Sequence, residues 1–453
     1  MIGSIRQAAR ILGGVAAGAL LVAACVNLFA QPPKPKHHRI PVIFWHMWTG
    51  EWTSKMDDVV DEFNKSQDKY EVIPLLIPPD GFTGETSSKF LMSVAGGDPP
   101  DVMAQWAQAI SGWAQDGILQ PLDPLMSPED RQAYAQCYPV VRKNGWYNGH
   151  LYGMVTAFDV YACYYRLDDF QQAGLDPDRF PSTLEDLIAT GRKLDKYDSQ
   201  HNLVRVGFLP QTFTNYVGAY GGGFYDPSTG TTPVDTPQNL EAMTTLVDAS
   251  KQLGIDKVIR FNSSLNSGDA GNWPFIGDQM SITLDGEWRV EQLADYAPHL
   301  QYRIAPLPPP AKGGKPLSSF SMIDYLTIPK GAKNPEGAWE FIKFWSGLDH
   351  PERAAKYKAW FCWLPSSPAM AASPEYQKFL HKYPQYQTFV KLAASDNIVA
   401  TPPVPYQLFL MDRIQDADDY AMRGAISPGA ALKRVDAQVK QELNRRKELG
   451  YEQ

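Results

Sequence analysis

Apolar and polar positions along this chain repeat with two periods, and the switches between them predict its elements. Pro41–Trp45 is a short β-rich run and predicts a first strand. Thr53–Gln67 places Met56, Val59, Val60 and Phe63 on one face and predicts an amphipathic helix. Tyr70–Ile77 predicts a second strand and Glu85–Ala95 a second helix. Gly96-Gly97-Asp98-Pro99-Pro100 ends that helix, because Gly and Pro break helical backbone, and Asp101–Ala104 predicts a third strand. Strand, helix, strand, helix, strand implies parallel pairing in an α/β lobe. Parallel sheets leave ligand sites beyond the carboxyl ends of their strands. Trp45–Trp48 and Gln105–Trp106 stand at two such ends.

Further on, Leu151–Tyr165 is a long β-rich stretch. Leu184–Leu194 reads as a helix opened by Pro181-Ser182-Thr183, with Glu185 and Asp186 in its first turn, where acids complement the helix dipole. Gln238–Leu253, Pro335–Trp345 and Ser427–Lys447 predict further helices, and Pro306–Pro316 a loop.

The first 38 residues set the compartment. Arg6 and Arg10 precede the apolar run Ile11–Ala24, the order of an export signal. Val22-Ala23-Ala24-Cys25 resembles the lipobox of bacterial lipoproteins, so residues 1–24 are expected to be a lipoprotein-type signal peptide and Cys25 the lipidated first residue. Residues 25–38 then form a linker. Two alternatives stay open: a non-lipid signal peptide, or an uncleaved anchor, since the apolar run reaches Ala30, about 20 residues. All place the remainder outside the cytoplasm.

Composition narrows the function. The 453 residues allow two or three domains at roughly 100–200 residues each. Net charge is −8 and the basic residues form no stripe, which argues against a nucleic-acid partner. The 12 Trp, 22 Tyr and 20 Phe suit the flat apolar faces of sugar rings, although large domains also bury aromatics in their cores. Cys137, Cys163 and Cys362 remain beyond Cys25, too few for a disulfide framework: one disulfide and a free thiol, or buried free thiols. The eight His show no metal spacing, and GxGxxG and P-loop patterns are absent, so neither metal nor cofactor is expected.

Six segments, in order, then resemble the sugar-binding proteins of bacterial ABC importers, the maltose-binding-like class. They are Lys89-Phe90-Leu91 through Gly97-Asp98-Pro99-Pro100-Asp101-Val102; Tyr147-Asn148-Gly149 with Leu151-Tyr152-Gly153; Tyr164 through Phe170 and Ala173-Gly174-Leu175; Pro181 through Leu187; Gly277-Asp278-Gln279-Met280 through Gly286-Glu287-Trp288; and Ile328-Pro329-Lys330 through Phe341. Three departures accompany them. Leu184 replaces a usual Trp, Arg166 a usual Asn, and Ser318-Ser319-Phe320-Ser321 a Gly-rich turn.

The resemblance implies an α/β, two-lobe periplasmic-binding-protein fold (class II-like, Venus-flytrap) with hinge crossovers. Lobe 1 is expected over 39–160 plus 290–345 and lobe 2 over 161–289 plus 346–453, with crossovers near 160–164, just after Trp288, and near 345–347. It also implies a non-enzymatic monomer that captures a di- or oligosaccharide and passes it to ABC permease subunits. By resemblance Trp288 stacks on the sugar, and Asp159 accepts its hydroxyls. Trp48, Gln105 and Trp106 follow from their strand ends. Asp285 and Glu287 flank Gly286, Tyr216 and Tyr220 precede the Gly221-Gly222-Gly223 turn, and Trp273 and Trp363 complete the candidates. A core role is the competing reading for each aromatic. Three other functions remain: a binder of a glycerol phosphodiester, which would need cations or a helix N-terminus in the cleft, a secreted glycoside hydrolase built on Asp159 and Glu287, and a structural or signalling lipoprotein of the same fold.

Overall fold

The computed structural model describes residues 38–49, 51–77, 88–106, 109–265 and 270–451. The expected signal peptide, Cys25 and all but the last residue of the linker lie outside the described residues.

The first apolar run forms β1 (Ile40–His46), and β2 (Tyr70–Leu76) lies parallel to it with Ile40 opposite Tyr70. Between them the helix Glu51–Ser66 lays its stripe on the sheet: Met56, Val59, Val60 and Phe63 are all buried. On the other side of β1 runs β3 (Val102–Trp106), also parallel. Asp101 locks its start, accepting from the backbone N–H of Ile43 at 2.8 Å and of Asn334 at 2.7 Å.

The long β-rich stretch is two strands. β4 (Met154–Phe158) ends at Asp159-Val160, and β5 (Tyr161–Arg166) resumes in a different sheet. β5 is flanked antiparallel by β6 (Ile282–Gly286) and β7 (Tyr302–Ala305). β8 (Ser319–Ser321) leads into β9 (Ile323–Thr327), which inserts antiparallel between β3 and β4. The first sheet therefore has the order β2-β1-β3-β9-β4. β10 (Ile398–Ala400) lies parallel to β8.

Two large cores follow from these sheets. One joins the five-stranded sheet to the helices Pro335–Ser346, Pro351–Phe361, Pro374–Lys382 and Gln387–Ala393. The other joins Cys163 and Tyr165 on one face of β5 to the helices Leu184–Leu194, Pro237–Leu253, Gln407–Met422 and Pro428–Glu448, while Ala162 and Tyr164 on its other face join the first core. The chain leaves the five-stranded sheet at Asp159-Val160, re-enters it at Met322 between β8 and β9, and runs from the first core to the second between Ala393 and Val404.

Residues 348–393 pack in the first core, because the helices after Ser346 run on without leaving it. β7 fills the edge of β5, with Tyr302 and Ile304 against the first core, and with Ala305 against the second and Leu307 in it. The sequence departures also find their places. The Arg166 side chain donates to the Phe275 carbonyl at 2.6 Å and lies 3.4 Å from Asp169, which also binds Arg205. Ser319–Ser321 is strand rather than turn, and Ser319 Oγ accepts from Tyr161 N–H at 2.7 Å, tying two crossing segments together.

Cys137, Cys163 and Cys362 are free thiols, the last two buried. Among the described residues no helix is long and apolar enough to cross a membrane.

Candidate ligand-binding site

Four indoles converge where the chain crosses between the lobes. Trp48 follows the carboxyl end of β1, and its carbonyl accepts from Thr53 Oγ1 at 3.0 Å, fixing the turn into the next helix. Its ring stacks on Trp345 at 5.7 Å and 10°. Trp52, in the first turn of that helix, lies 5.6 Å from Trp363. Trp363 follows the helix Pro351–Phe361, where Cys362 turns left-handed with φ 53° and folds the indole back onto Phe361 at 4.2 Å. Hydroxyls of Tyr386 and Tyr376 clamp that turn by donating to the Cys362 and Trp363 carbonyls at 2.6 and 2.9 Å. Trp288 comes from the other lobe, two residues after β6 starts its last residue Gly286. A Cβ at Gly286 would overlap the Trp288 ring, so glycine is what lets the indole lie there. Tyr161 meets Trp288 edge-on at 5.9 Å.

The four rings enclose a cavity of about 300 Å3 together with Asp159, Glu287, Met322, Ile323, Asp324 and Thr401. Asp159, Met322 and Thr401 lie on the three crossing segments, so the cavity floor is the hinge itself. Relative motion of the lobes therefore opens or closes this space.

Its electrostatics are acidic and undercompensated. Burial raises the Asp159 carboxyl from 3.8 to about 6, and its hydrogen bond with Glu287 works the other way. Glu287 is 1% exposed and is pushed well above the usual carboxyl range, by burial first and then by the Asp159 charge. Each carboxyl thus opposes ionisation of the other, and Glu287 Oε2 also accepts from Val160 N–H at 3.2 Å. Asp324 is pushed well above its ordinary value by burial and by Asp159, opposed by a hydrogen bond from Trp48 and by Lys358. Lys358 is buried behind the wall. Its ammonium donates to the Thr156 carbonyl and lies 5.4 Å from the centre of the Trp363 ring. Burial lowers it from 10.5 to about 7. Among the described residues no Lys or Arg lines the cavity itself.

Of the expected site residues, the fold brings Trp48, Asp159, Glu287, Trp288 and Trp363 together. Gln105 is buried inside β3 opposite Tyr325, one residue short of the strand end, and does not line the cavity. Trp106 ends β3 opposite Asp324 in the ladder. Tyr216 is in the second core, and Tyr220 is buried there and donates to Thr245 Oγ1 at 2.7 Å. Trp273 packs edge-on against Tyr164 at 5.5 Å, beneath the Arg289 guanidinium at 4.6 Å. Asp285 is consumed by an ion pair with Arg289 at 3.0 Å. None of these last four lines the cavity. Sequence reasoning missed Trp52, Met322, Ile323, Asp324 and Thr401. Trp52 had a signal, since it shares the segment after the first strand with Trp48. Asp324 and Thr401 had none, since their neighbours come from far along the chain.

A two-lobed α/β fold with an aromatic, acidic cavity at its crossing segments defines a cleft-type solute-binding protein. The chain belongs to the bacterial extracellular solute-binding protein family, which it matches over residues 58–388. It is 20% identical over 309 residues to the maltotriose-binding protein of Pyrococcus abyssi, covering 67% of this chain and 62% of that relative's length. It is 21% identical over 379 residues to the sn-glycerol-3-phosphate-binding periplasmic protein UgpB of Escherichia coli K12, covering 80% of this chain and 81% of that one. Among solved structures it resembles the mannotriose complex of CpMnBP1 with a TM-score of 0.73 and 25% identity, over 88% of this chain and 99% of that one. The sugar-binding protein MalE of Xanthomonas citri superposes with a TM-score of 0.72 at 18% identity, over 91% of this chain and all of the other. The fold is thus the two-lobe periplasmic-binding fold.

Proposed function

We propose that the protein is the extracytoplasmic substrate-binding component of an ABC importer and captures a di- or oligosaccharide between its lobes. The observation that carries this reading is the cavity at the hinge, walled by Trp48, Trp52, Trp288 and Trp363 and edged by carboxyls. Indole faces match the C–H faces of sugar rings, and carboxyl groups accept hydroxyls at the ring edge. A volume of about 300 Å3 sits at the small end of ligand pockets and is open to enlargement along the cleft. Maltotriose and mannotriose, named for a relative and a structural neighbour, are of this class. Because the walls come from both lobes, a bound solute stabilises the closed state over the open one. The closed surface is then what the permease subunits receive. Lipidation at Cys25 would tether a monomer to the membrane beside them.

The other readings fit the site less well. An anionic glycerol phosphodiester, the chemistry suggested by the UgpB relative, finds no cation lining the cavity among the described residues. Retaining or inverting glycosidases hold their carboxyls about 5–9.5 Å apart, whereas Asp159 and Glu287 are hydrogen-bonded to each other. A thermal-shift screen of mono-, di- and oligosaccharides beside glycerophosphodiesters tests the proposal. A solute at 100 times its dissociation constant stabilises by about 2.7 kcal/mol. We expect a clear shift with at least one di- or oligosaccharide, lost in Trp288→Ala. Shifts confined to phosphorylated solutes would overturn it.

A further inference from the structure

The cavity holds more acid than a neutral solute needs. Asp159, Glu287 and Asp324 all line it, and no Lys or Arg among the described residues does. Among the described residues none of the three has a cation within ion-pair distance, whereas the neighbouring Asp285 has Arg289 at 3.0 Å. Lys358 acts on Asp324 only from a distance, since its ammonium is already bound to the Thr156 carbonyl. The same space has four indole faces, and Trp48 and Trp363 are themselves almost fully buried.

Carboxylates without counter-ions inside an indole-walled space are costly in the empty protein. A polyol satisfies their hydrogen bonds but leaves their charge. A protonated amine satisfies both: its three N–H donors match three acceptors, and indole faces attract its positive charge. A metal ion would meet the charge as well, but among the described residues no group of three or more His, Cys, Asp or Glu side chains is arranged to hold one. The indole walls, finally, call for a flat ring beside the amine.

Building on the carbohydrate reading above, we propose that the solute is an amino sugar, or an oligosaccharide containing one. Its ammonium sits among Asp159, Glu287 and Asp324, and its ring lies against the indoles of Trp48, Trp52, Trp288 and Trp363. Burial raises all three carboxyls, so each holds its proton more strongly in the empty protein, and an entering ammonium favours the ionised form. Entry of the ammonium then releases protons held by these carboxyls.

The test is calorimetric titration of the folded chain with matched sugars. Glucosamine, galactosamine and mannosamine, and the β-1,4-linked glucosamine dimer, are compared with the hydroxyl and N-acetyl forms of each. Maltotriose and mannotriose serve as neutral oligosaccharide probes. In at least one matched set the amine form should bind about tenfold tighter or more than both counterparts. Asp324→Asn and Glu287→Gln should each collapse that ratio to within about threefold. Should one substitution fail to fold, Asp159→Asn gives the same readout. Neutral sugars binding as tightly as their amine forms would overturn the amine inference and leave the carbohydrate reading standing. No binding by any member of the panel would overturn both. An amine preference that survives all three substitutions would place the ammonium elsewhere and refute the assignment.

Discussion

Asp159→Asn should make the unliganded protein more stable at alkaline pH while changing little at acidic pH. The carboxyl titrates near 3.8 in the unfolded chain and at about 6 in the folded one. Between those values the folded state holds a proton that the unfolded state has lost. Stability therefore falls as pH rises through this window and stays low above it. The interval from 3.8 to about 6 converts to about 3 kcal/mol at about 1.4 kcal/mol per pH unit. About 2 kcal/mol of that lies between about pH 4.5 and about pH 8. The amide of the variant never ionises, so it removes this penalty. Glu287, which burial pushes well above the usual carboxyl range, can still hydrogen-bond to the amide, which keeps the cost at low pH small. The assay is reversible denaturant unfolding of both proteins at the two pH values, without solute. The variant should gain about 1–2 kcal/mol more at the higher pH. An equal difference at both pH values, or a variant less stable at the higher one, would refute the picture of a buried, repelled carboxyl.

Three further outcomes follow from specific contacts. Gly286→Ala places a Cβ where the Trp288 ring lies, so the indole must leave the wall. Solute affinity should drop at least about tenfold for an overpacking cost of about 1–3 kcal/mol, and unchanged affinity by calorimetry would remove Trp288 from the site. Lys358 is neutral in the folded protein above about 7 but charged in the unfolded chain up to 10.5, so wild-type stability should rise with pH across that window. Lys358→Met should flatten this slope in denaturant unfolding at about pH 7 to about pH 9.5, and a slope that persists would contradict the burial of the ammonium. Arg205 binds Asp169 at 2.5 Å and Asp278 at 2.8 Å. Arg205→Met should cost about 1–3 kcal/mol by leaving the buried Asp169 carboxylate with Arg166 alone at 3.4 Å, yet leave solute affinity unaltered, because none of these residues lines the cavity. Loss of affinity together with stability would show that the cluster supports the cleft.

The elements near the N-terminus of the folded part were legible because each carries its own reason. The stripe of Met56, Val59, Val60 and Phe63 can only be buried as a helix face, and the Gly-Pro run after Ala95 can only end one. Trp48 was legible as a site residue for a related reason: the end of a parallel strand faces a cleft wherever the sheet is built. Trp288, Asp159 and Glu287 were legible through resemblance, and the cavity contains all three. Tyr216, Tyr220 and Trp273 carry the same residue chemistry and sit in cores, because aromatic rings serve burial and recognition equally well.

The sequence alone determined the α/β class, the local elements and the family, since periodicity, turn residues and motif order are properties of short segments. Tertiary structure alone decided where the chain changes lobes and which acids meet. Asp159, Glu287 and Asp324 are separated by 128 and 37 residues along the chain, and no local pattern encodes that their carboxyls share one space. Their charge, burial and mutual opposition to ionisation are consequences of distance in three dimensions, and electrostatic energy depends on that distance rather than on sequence order.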